Sequence, residues 1–182
     1  PVPGKPDRAF ASMGIYVFNR DVLIRALKED AKMETSHDFG KDIIPLMYPR
    51  SRVFVERFGT AGHGKDASYW RDIGTIDAYW HANMDLASVS PIFNLYDRNW
   101  PIRTYEGQYP PAKTVFADED KGRAGKALDS IICSGVIISG GRVERSILSP
   151  GVRINSYAHV EESILFHDVV IGMRAKVKRA II

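Results

Sequence analysis

Residues 135–182 read GVIISGGRVERSILSP (135–150), GVRINSYAHVEESILFHDVV (151–170) and IGMRAKVKRAII (171–182), and they repeat with a period of 17. In that register three aliphatic columns line up: Ile137, Ile154 and Ile171; Val143, Val160 and Val177; Leu148, Leu165 and Ile182. Within a repeat these positions fall six, five and six residues apart. An amphipathic helix would space them by three and four, and a half-buried strand by two. Near-hexad spacing predicts short strands joined by tight corners, winding into a three-sided β-solenoid. Each coil then buries one aliphatic side chain per corner and stacks on the next coil.

Upstream the pattern changes. SMGIYVF (12–18), RVFVERF (52–58) and YWRDI (69–73) are predicted strands. DVLIRALKED (21–30) sets Leu23 and Leu27 one turn apart and is a predicted helix with Asp21 as its N-cap. In TSHDFGKDIIPLMYP (35–49), Ser36 or Asp38 can cap a short helix carrying Phe39, Ile43 and Met47 on one face. Such a helix tolerates Pro45 only in its first turn or at a kink. GTAGHGKDAS (59–68) is a Gly-rich loop, and TIDAYWHANMDLAS (75–88) is a helix capped by Thr75. This alternation is the tail of an α/β domain whose remaining strands are expected upstream. The predicted fold is α/β plus β-solenoid: the tail of an α/β domain over 1–90, a connector over 91–127 and an incomplete solenoid over 128–182. From three prolines in the first six residues and an uncapped ending on column residue Ile182, the expectation is an internal piece of a longer polypeptide.

A net charge of +3 is too small to point to nucleic acid. No apolar run approaches the ~20 residues of a membrane-spanning helix. Cys133 is the one cysteine, so no intramolecular disulfide can form, and a reducing cytoplasm is the expected compartment.

Strand alternation puts Ser12, Gly14 and Tyr16 on one face, and Trp70 and Asp72 on one face with Tyr69, Arg71 and Ile73 opposite. Asp38 and Phe39 stand at a helix start. Open α/β sheets bind ligands beyond the carboxyl ends of their strands. A hydroxyl, a phenol, aromatic rings and two carboxylates gathered there suit a sugar, and an Asp at a strand end suits Mg²⁺ beside a nucleotide. Each residue also has a plain structural role open to it: Trp70 as core, Asp38 as a helix cap, Lys41 as a solvated charge. The five histidines show no HxH or HxxxH spacing for a metal. His159 points outward from its coil, as a surface residue or as a general base for acyl transfer. In the last coil Lys176 and Lys178 point outward beside Arg179, either as a solvated basic face or as a site for a phosphorylated ligand.

SMGIYVF (12–18), SHDFGKDIIP (36–45), YWRDIGTIDAYWHANMDL (69–86), YDRNWPIRTY (96–105) and PPAK (110–113) together resemble bacterial glucose-1-phosphate adenylyltransferase, the ADP-glucose pyrophosphorylase family, from about Ala11 to Ile182. The resemblance implies a Rossmann-like nucleotidyltransferase domain followed by a left-handed β-helix. It implies formation of ADP-glucose and pyrophosphate from ATP and glucose 1-phosphate with Mg²⁺, in glycogen synthesis. It carries the glucose 1-phosphate pocket onto Ser12, Tyr16, Asp38, Phe39, Trp70 and Asp72, and a catalytic Mg²⁺ ligand onto Asp72. It also implies control by phosphorylated effectors, for which Lys176, Lys178 and Arg179 are candidates, and a homotetramer. The family's Gly-rich nucleotide loop, its second Mg²⁺-binding aspartate and its sugar-phosphate lysine are not in this sequence, so these 182 residues alone are expected to be inactive. The alternatives are a non-catalytic regulatory or assembly subunit, a transferase using UTP or dTTP, and a solenoid acyltransferase based on His159 or His167.

Overall fold

The computed structural model describes residues 2, 4–58, 69–99, 101–105, 107–118 and 120–182, so the expected Gly-rich loop 59–68 lies outside the described residues. The chain divides into two compact units, Pro1–Arg57 and Phe58–Ile182.

In the first unit, α1 spans Arg20–Asp30. Its N-cap is Asn19, which makes no side-chain cap bond. Asp21, expected as the cap, lies in the first turn, where its charge favours the positive end of the helix. A π turn over Phe39–Ile43 leads into α2, Ile44–Met47. Pro45 accounts for this shape: it has no N–H to donate, and its ring collides with the carbonyl four residues back in a regular helix. Widening the preceding turn relieves both problems. The Ile43 N–H reaches the Asp38 carbonyl at 3.1 Å, the Ile44 N–H bonds to the Phe39 carbonyl, and Pro45 falls in the first turn of α2. The two segments pack through Ala26, Ile43 and Met47, with Phe18, Val22 and Phe39 around them.

The strands predicted over 12–18, 52–58 and 69–73 do not form among the described residues, where laddered pairing is confined to 113–182. An alternating segment becomes a strand only when a neighbour takes up its N–H and C=O groups. These segments have no such neighbour here, and Val17 and Phe54 are largely exposed.

The second unit begins its regular structure with α3, Ile76–Leu86, capped as expected by Thr75, whose hydroxyl accepts from the Ala78 N–H at 3.1 Å. The solenoid follows. β1 (Lys113–Val115), β4 (Ile137–Ser139), β7 (Arg153–Ile154) and β10 (Val170–Ile171) form one face. β2 (Lys126–Leu128), β5 (Arg142–Glu144), β8 (His159–Glu161) and β11 (Lys176–Lys178) form the second. β3 (Ile131–Ile132), β6 (Ile147–Leu148) and β9 (Ile164–Leu165) form the third. Every pairing is parallel. Among the described residues no helix is long and apolar enough to cross a membrane.

One column differs from the sequence reading. Ile138, not Ile137, stands opposite Ile154 and is fully buried, while Ile137 is half-buried opposite Arg153. The Ile138–Val143 interval is five residues, against six for Ile154–Val160. The shortened corner is Gly140–Gly141. Gly140 has φ +73°, and a Cβ on Gly141 would stand 2.6 Å from Ile154 Cγ2 and 2.8 Å from the Asn155 carbonyl. Only glycine passes there, and dropping one residue from the turn inverts which isoleucine faces inward. The other two columns are as read, with Val143, Val160, Leu148 and Leu165 fully buried.

The corners carry a repeated polar device. Asp129, Arg145, Glu162 and Arg179 all adopt left-handed backbone, φ 43° to 50°. Each of the first three precedes a serine whose hydroxyl donates to the carbonyl two residues back at 2.7 Å. The same hydroxyls accept the N–H of Ser146, Ser163 and Ala180 of the following coil at 3.0 to 3.1 Å. The buried corner groups are thus satisfied, which offsets the strain of non-glycine residues at positive φ.

On the outer side of the second face, Lys126, Arg142, His159 and Lys176 stack in register, and so do Leu128, Glu144, Glu161 and Lys178. Like charges one strand apart repel, and the acidic column offsets them. Arg142 bonds Glu144, Lys178 meets Glu161 at 3.1 Å, and Arg145 bonds Glu161 from the corner. The Arg142 and Lys178 bonds hold the Glu144 and Glu161 carboxyls below their ordinary range. His159 is therefore not the free surface base of the acyltransfer alternative. It is half-buried in this ladder, with Nε2 3.4 Å from Glu144.

Candidate functional site

The first unit assembles Ser12, Tyr16, Asp38 and Phe39 around Gly40. Asp38 caps the π turn, with Oδ1 accepting the Lys41 N–H at 2.8 Å. Its own N–H donates to Asp42 Oδ2 at 3.0 Å, a reciprocal arrangement like a capping box with the acid one residue later. Phe39 stacks on Tyr16 at 5.7 Å, and Phe18 closes a three-ring cluster. The Tyr16 hydroxyl lies 2.8 Å from Ser12 Oγ, which also accepts the Gly14 N–H at 3.2 Å. A Cβ on Gly40 would lie 3.3 Å from Asp38 Oδ1 and 3.7 Å from the Tyr16 hydroxyl, so glycine keeps the space between these polar groups open. The cluster offers a carboxylate, two hydroxyls and an aromatic wall to a small polar ligand.

Behind it lies a network that sequence reasoning missed. Asp30 at the end of α1 is only 3% exposed. It faces His37 Nδ1 at 2.6 Å and accepts the Thr35 hydroxyl at 2.8 Å. His37 has φ +57°, so the chain turns sharply just before Asp38. Ser36 donates to Asp42. The local signal for Asp42 was present, an acid four residues after a cap. For Asp30 there was none, because an Asp at a helix end reads as solvated.

The hydrogen bonds from His37 and Thr35 hold Asp30 below its ordinary value, and those from Ser36 and the Asp38 N–H do the same for Asp42. A carboxyl depressed in the folded state stabilises it above its unfolded pKa of ~3.9, and that stabilisation is lost as pH falls through the folded value. Amide-exchange protection across residues 38–43 should therefore be constant above about pH 5 and decline below about pH 4. Asp30→Asn should flatten part of that decline.

In the second unit, Trp70 and Asp72 lie on the 69–73 segment, which is not a strand, so the expected alternation is not enforced by a ladder. Tyr69 stacks on Phe93 at 5.2 Å and Arg71 pairs with Asp85 at 2.7 Å. Trp70 remains 49% exposed and Asp72 exposed. Asp72 Oδ1 accepts the Gly74 N–H at 3.0 Å, which orients the carboxylate. Among the described residues no other His, Cys, Asp or Glu pair joins it in a metal-binding group. Of the three candidate effector residues, Lys178 is paired with Glu161, and the Arg179 guanidinium lies 4.9 Å from the centre of the Trp80 ring. Lys176 is exposed and has no partner among the described residues.

Residues 3–89 match the nucleotidyl transferase family, and residues 110–182 match the GlmU-like, C-terminal hexapeptide family. The hexapeptide match and the three parallel faces accord with the expected left-handed β-helix. A glucose-1-phosphate adenylyltransferase of Dechloromonas aromatica (strain RCB) is 54% identical over 184 residues, covering 100% of this chain and 41% of the relative. Proteins of the same name from Koribacter versatilis (strain Ellin345) and Rhodopirellula baltica are 51% and 53% identical, covering 99% and 100% of this chain and 43% and 41% of the relatives. The chain thus spans about two-fifths of the length of these curated relatives.

Proposed function

Because the chain belongs to the glucose-1-phosphate adenylyltransferase family, we propose that the natural polypeptide carrying it joins ATP and glucose 1-phosphate into ADP-glucose and pyrophosphate, for glycogen synthesis in the cytoplasm. The observation that carries this reading is the Ser12–Tyr16–Phe39–Asp38 cluster held open at Gly40. Phe39 supplies a flat apolar wall for a C–H face of the sugar. Asp38, Tyr16 and Ser12 supply acceptors and donors for its hydroxyls.

Asp72 suits a Mg²⁺ ligand. Its carboxylate is a hard oxygen donor, one oxygen is held by Gly74 N–H, and the other has no partner among the described residues. Mg²⁺ beside a nucleotide takes one or two carboxylates and fills its shell with phosphate oxygens and water, so Asp72 would share the ion with the second aspartate that the family resemblance places outside this sequence. When bound, the ion neutralises charge on the phosphates. In the transfer, a phosphate oxygen of glucose 1-phosphate bonds to the α-phosphorus of ATP as that phosphorus loses its bond to the bridging oxygen. The electron pair leaves with pyrophosphate. Little covalent work falls to the protein, so these side chains act by holding the sugar phosphate in line. Phosphorylated effectors at Lys176, Lys178 and Arg179, and a homotetramer, belong to the same proposal.

Pyrophosphate release by the natural polypeptide with Mg²⁺ and glucose 1-phosphate tests it, with ATP, UTP and dTTP offered separately. The expected result is a preference for ATP of at least about tenfold. Release with UTP or dTTP instead would reassign the nucleotide, and release with none would move the chain to a regulatory or assembly role. The 182 residues alone are expected to release none, and measurable release by them would overturn that expectation.

A further inference from the structure

Among the described residues, the side-chain hydrogen bond that spans the most sequence joins α3 to the solenoid. Trp80 Nε1 donates to the Glu162 carbonyl oxygen at 2.8 Å, across 82 residues. The Arg179 guanidinium covers the same indole at 4.9 Å, and Tyr79 makes a tilted ring contact with Phe166 at 6.5 Å. Glu162 and Arg179 are successive members of one corner column, with φ 48° and 50°. The column sits beside the serine ladder through Ser163, whose hydroxyl bonds the Glu161 carbonyl and the Ala180 N–H.

The other end of α3 leads to the candidate metal ligand. Thr75, its cap, is three residues after Asp72. Arg71 is tied to Asp85 of the same helix, and Tyr69 to Phe93 just beyond it. The 69–74 segment has no ladder partner of its own among the described residues, so its position depends on α3. The position of α3 in turn depends on Trp80. A donated hydrogen bond fixes the indole edge and a cation fixes its face, and the two together set both the height and the rotation of the helix on the corner.

We propose that Trp80, with Arg179 behind it, is a positioning residue that sets where the Asp72 carboxylate stands by locking α3 to the solenoid corner. This rests on the reading of Asp72 as the Mg²⁺ ligand. Neither residue need touch substrate, and the coupling makes the solenoid part of the active-site scaffold.

The test uses the natural polypeptide, with no effector added, and reads the Mg²⁺ concentration for half-maximal rate, KM for glucose 1-phosphate, kcat and the thermal midpoint. Trp80→Leu removes both contacts and should raise the Mg²⁺ requirement about fivefold to tenfold, the scale of one hydrogen bond plus one cation–π contact. Trp80→Phe keeps a ring and should fall between. Arg179→Gln should raise the requirement about twofold to threefold, with Arg179→Lys recovering most of the loss. A purely structural role would lower the midpoint and the amount of active protein while leaving the Mg²⁺ requirement unchanged. A requirement within twofold of the parent for Trp80→Leu and Arg179→Gln overturns the proposal. If Trp80→Leu does not fold, the exposed Arg179 pair decides alone. Asp72→Asn in parallel separates the two readings. If it leaves turnover and Mg²⁺ dependence intact, Asp72 is not the ligand. If it abolishes them while the Trp80 and Arg179 variants do nothing, the positioning role alone has failed.

Discussion

Asp72→Asn in the natural polypeptide should lower kcat/KM for pyrophosphate release by about a hundredfold to ten-thousandfold, the loss of several kcal/mol of transition-state stabilisation that removing a metal clamp implies. The substitution is close to isosteric. The amide oxygen can still accept the Gly74 N–H that orients the side chain, so the backbone around Gly74 has no reason to move. What disappears is the negative charge that a hard divalent cation requires. The effect should therefore sit in turnover and Mg²⁺ dependence, with the thermal midpoint almost unchanged. Turnover within a few-fold of the parent would remove Asp72 from the chemistry.

The second large effect concerns stability, and it separates two adjacent residues of the same type. Ile138→Ala should destabilise the solenoid by about 2–5 kcal/mol, whereas Ile137→Ala should cost under about 1 kcal/mol. Ile138 is fully buried against Ile154 and the neighbouring columns, in coils packed above and below, so its truncation leaves a cavity that the stacked backbone cannot close. Ile137 is on the outer side of the same strand opposite Arg153, where water can fill the space. Denaturant unfolding of the two variants measures the difference. Equal losses, or the larger loss at Ile137, would restore the register read from the 17-residue alignment.

The same pair shows where sequence reasoning stopped. Aligning the repeats at a constant 17 residues puts Ile137 in the column, because Ile137 and Ile138 are chemically identical and either fits. Gly140–Gly141 was the available signal: two glycines where the next coil has longer-chained residues mark a corner one residue shorter. In the candidate site, Asp38 and Phe39 were legible as a helix start, whereas Ser12 and Tyr16 were grouped by a strand that does not form among the described residues and meet instead through the Tyr16–Ser12 contact and the Tyr16–Phe39 stack. Asp30 was not, since its partners Thr35 and His37 reach it only when the chain folds back. Trp80 lay in a segment read only as a capped helix, and Lys178 beside Arg179 read as a solvated basic face or a site for a phosphorylated ligand. Their engagement with Glu162, Glu161 and each other's neighbours depends on a stacking order that no single segment contains.

The sequence by itself determined the solenoid, its hexad-spaced interior, a helix start capped at Ser36 or Asp38, the helix capped at Thr75, and the motifs that mark the family. All of these are periodic or local, and a period or a cap is complete within a few residues. Only the tertiary structure decided which isoleucine turns inward, that the predicted upstream strands stay unpaired among the described residues, that a buried aspartate props the loop before Asp38, and that the Asp72 segment is tied through α3 to a solenoid corner. Each of these depends on what lies across from a residue rather than beside it. Hydrogen-bond partners, charge neighbours and buried faces are assigned only when distant segments meet.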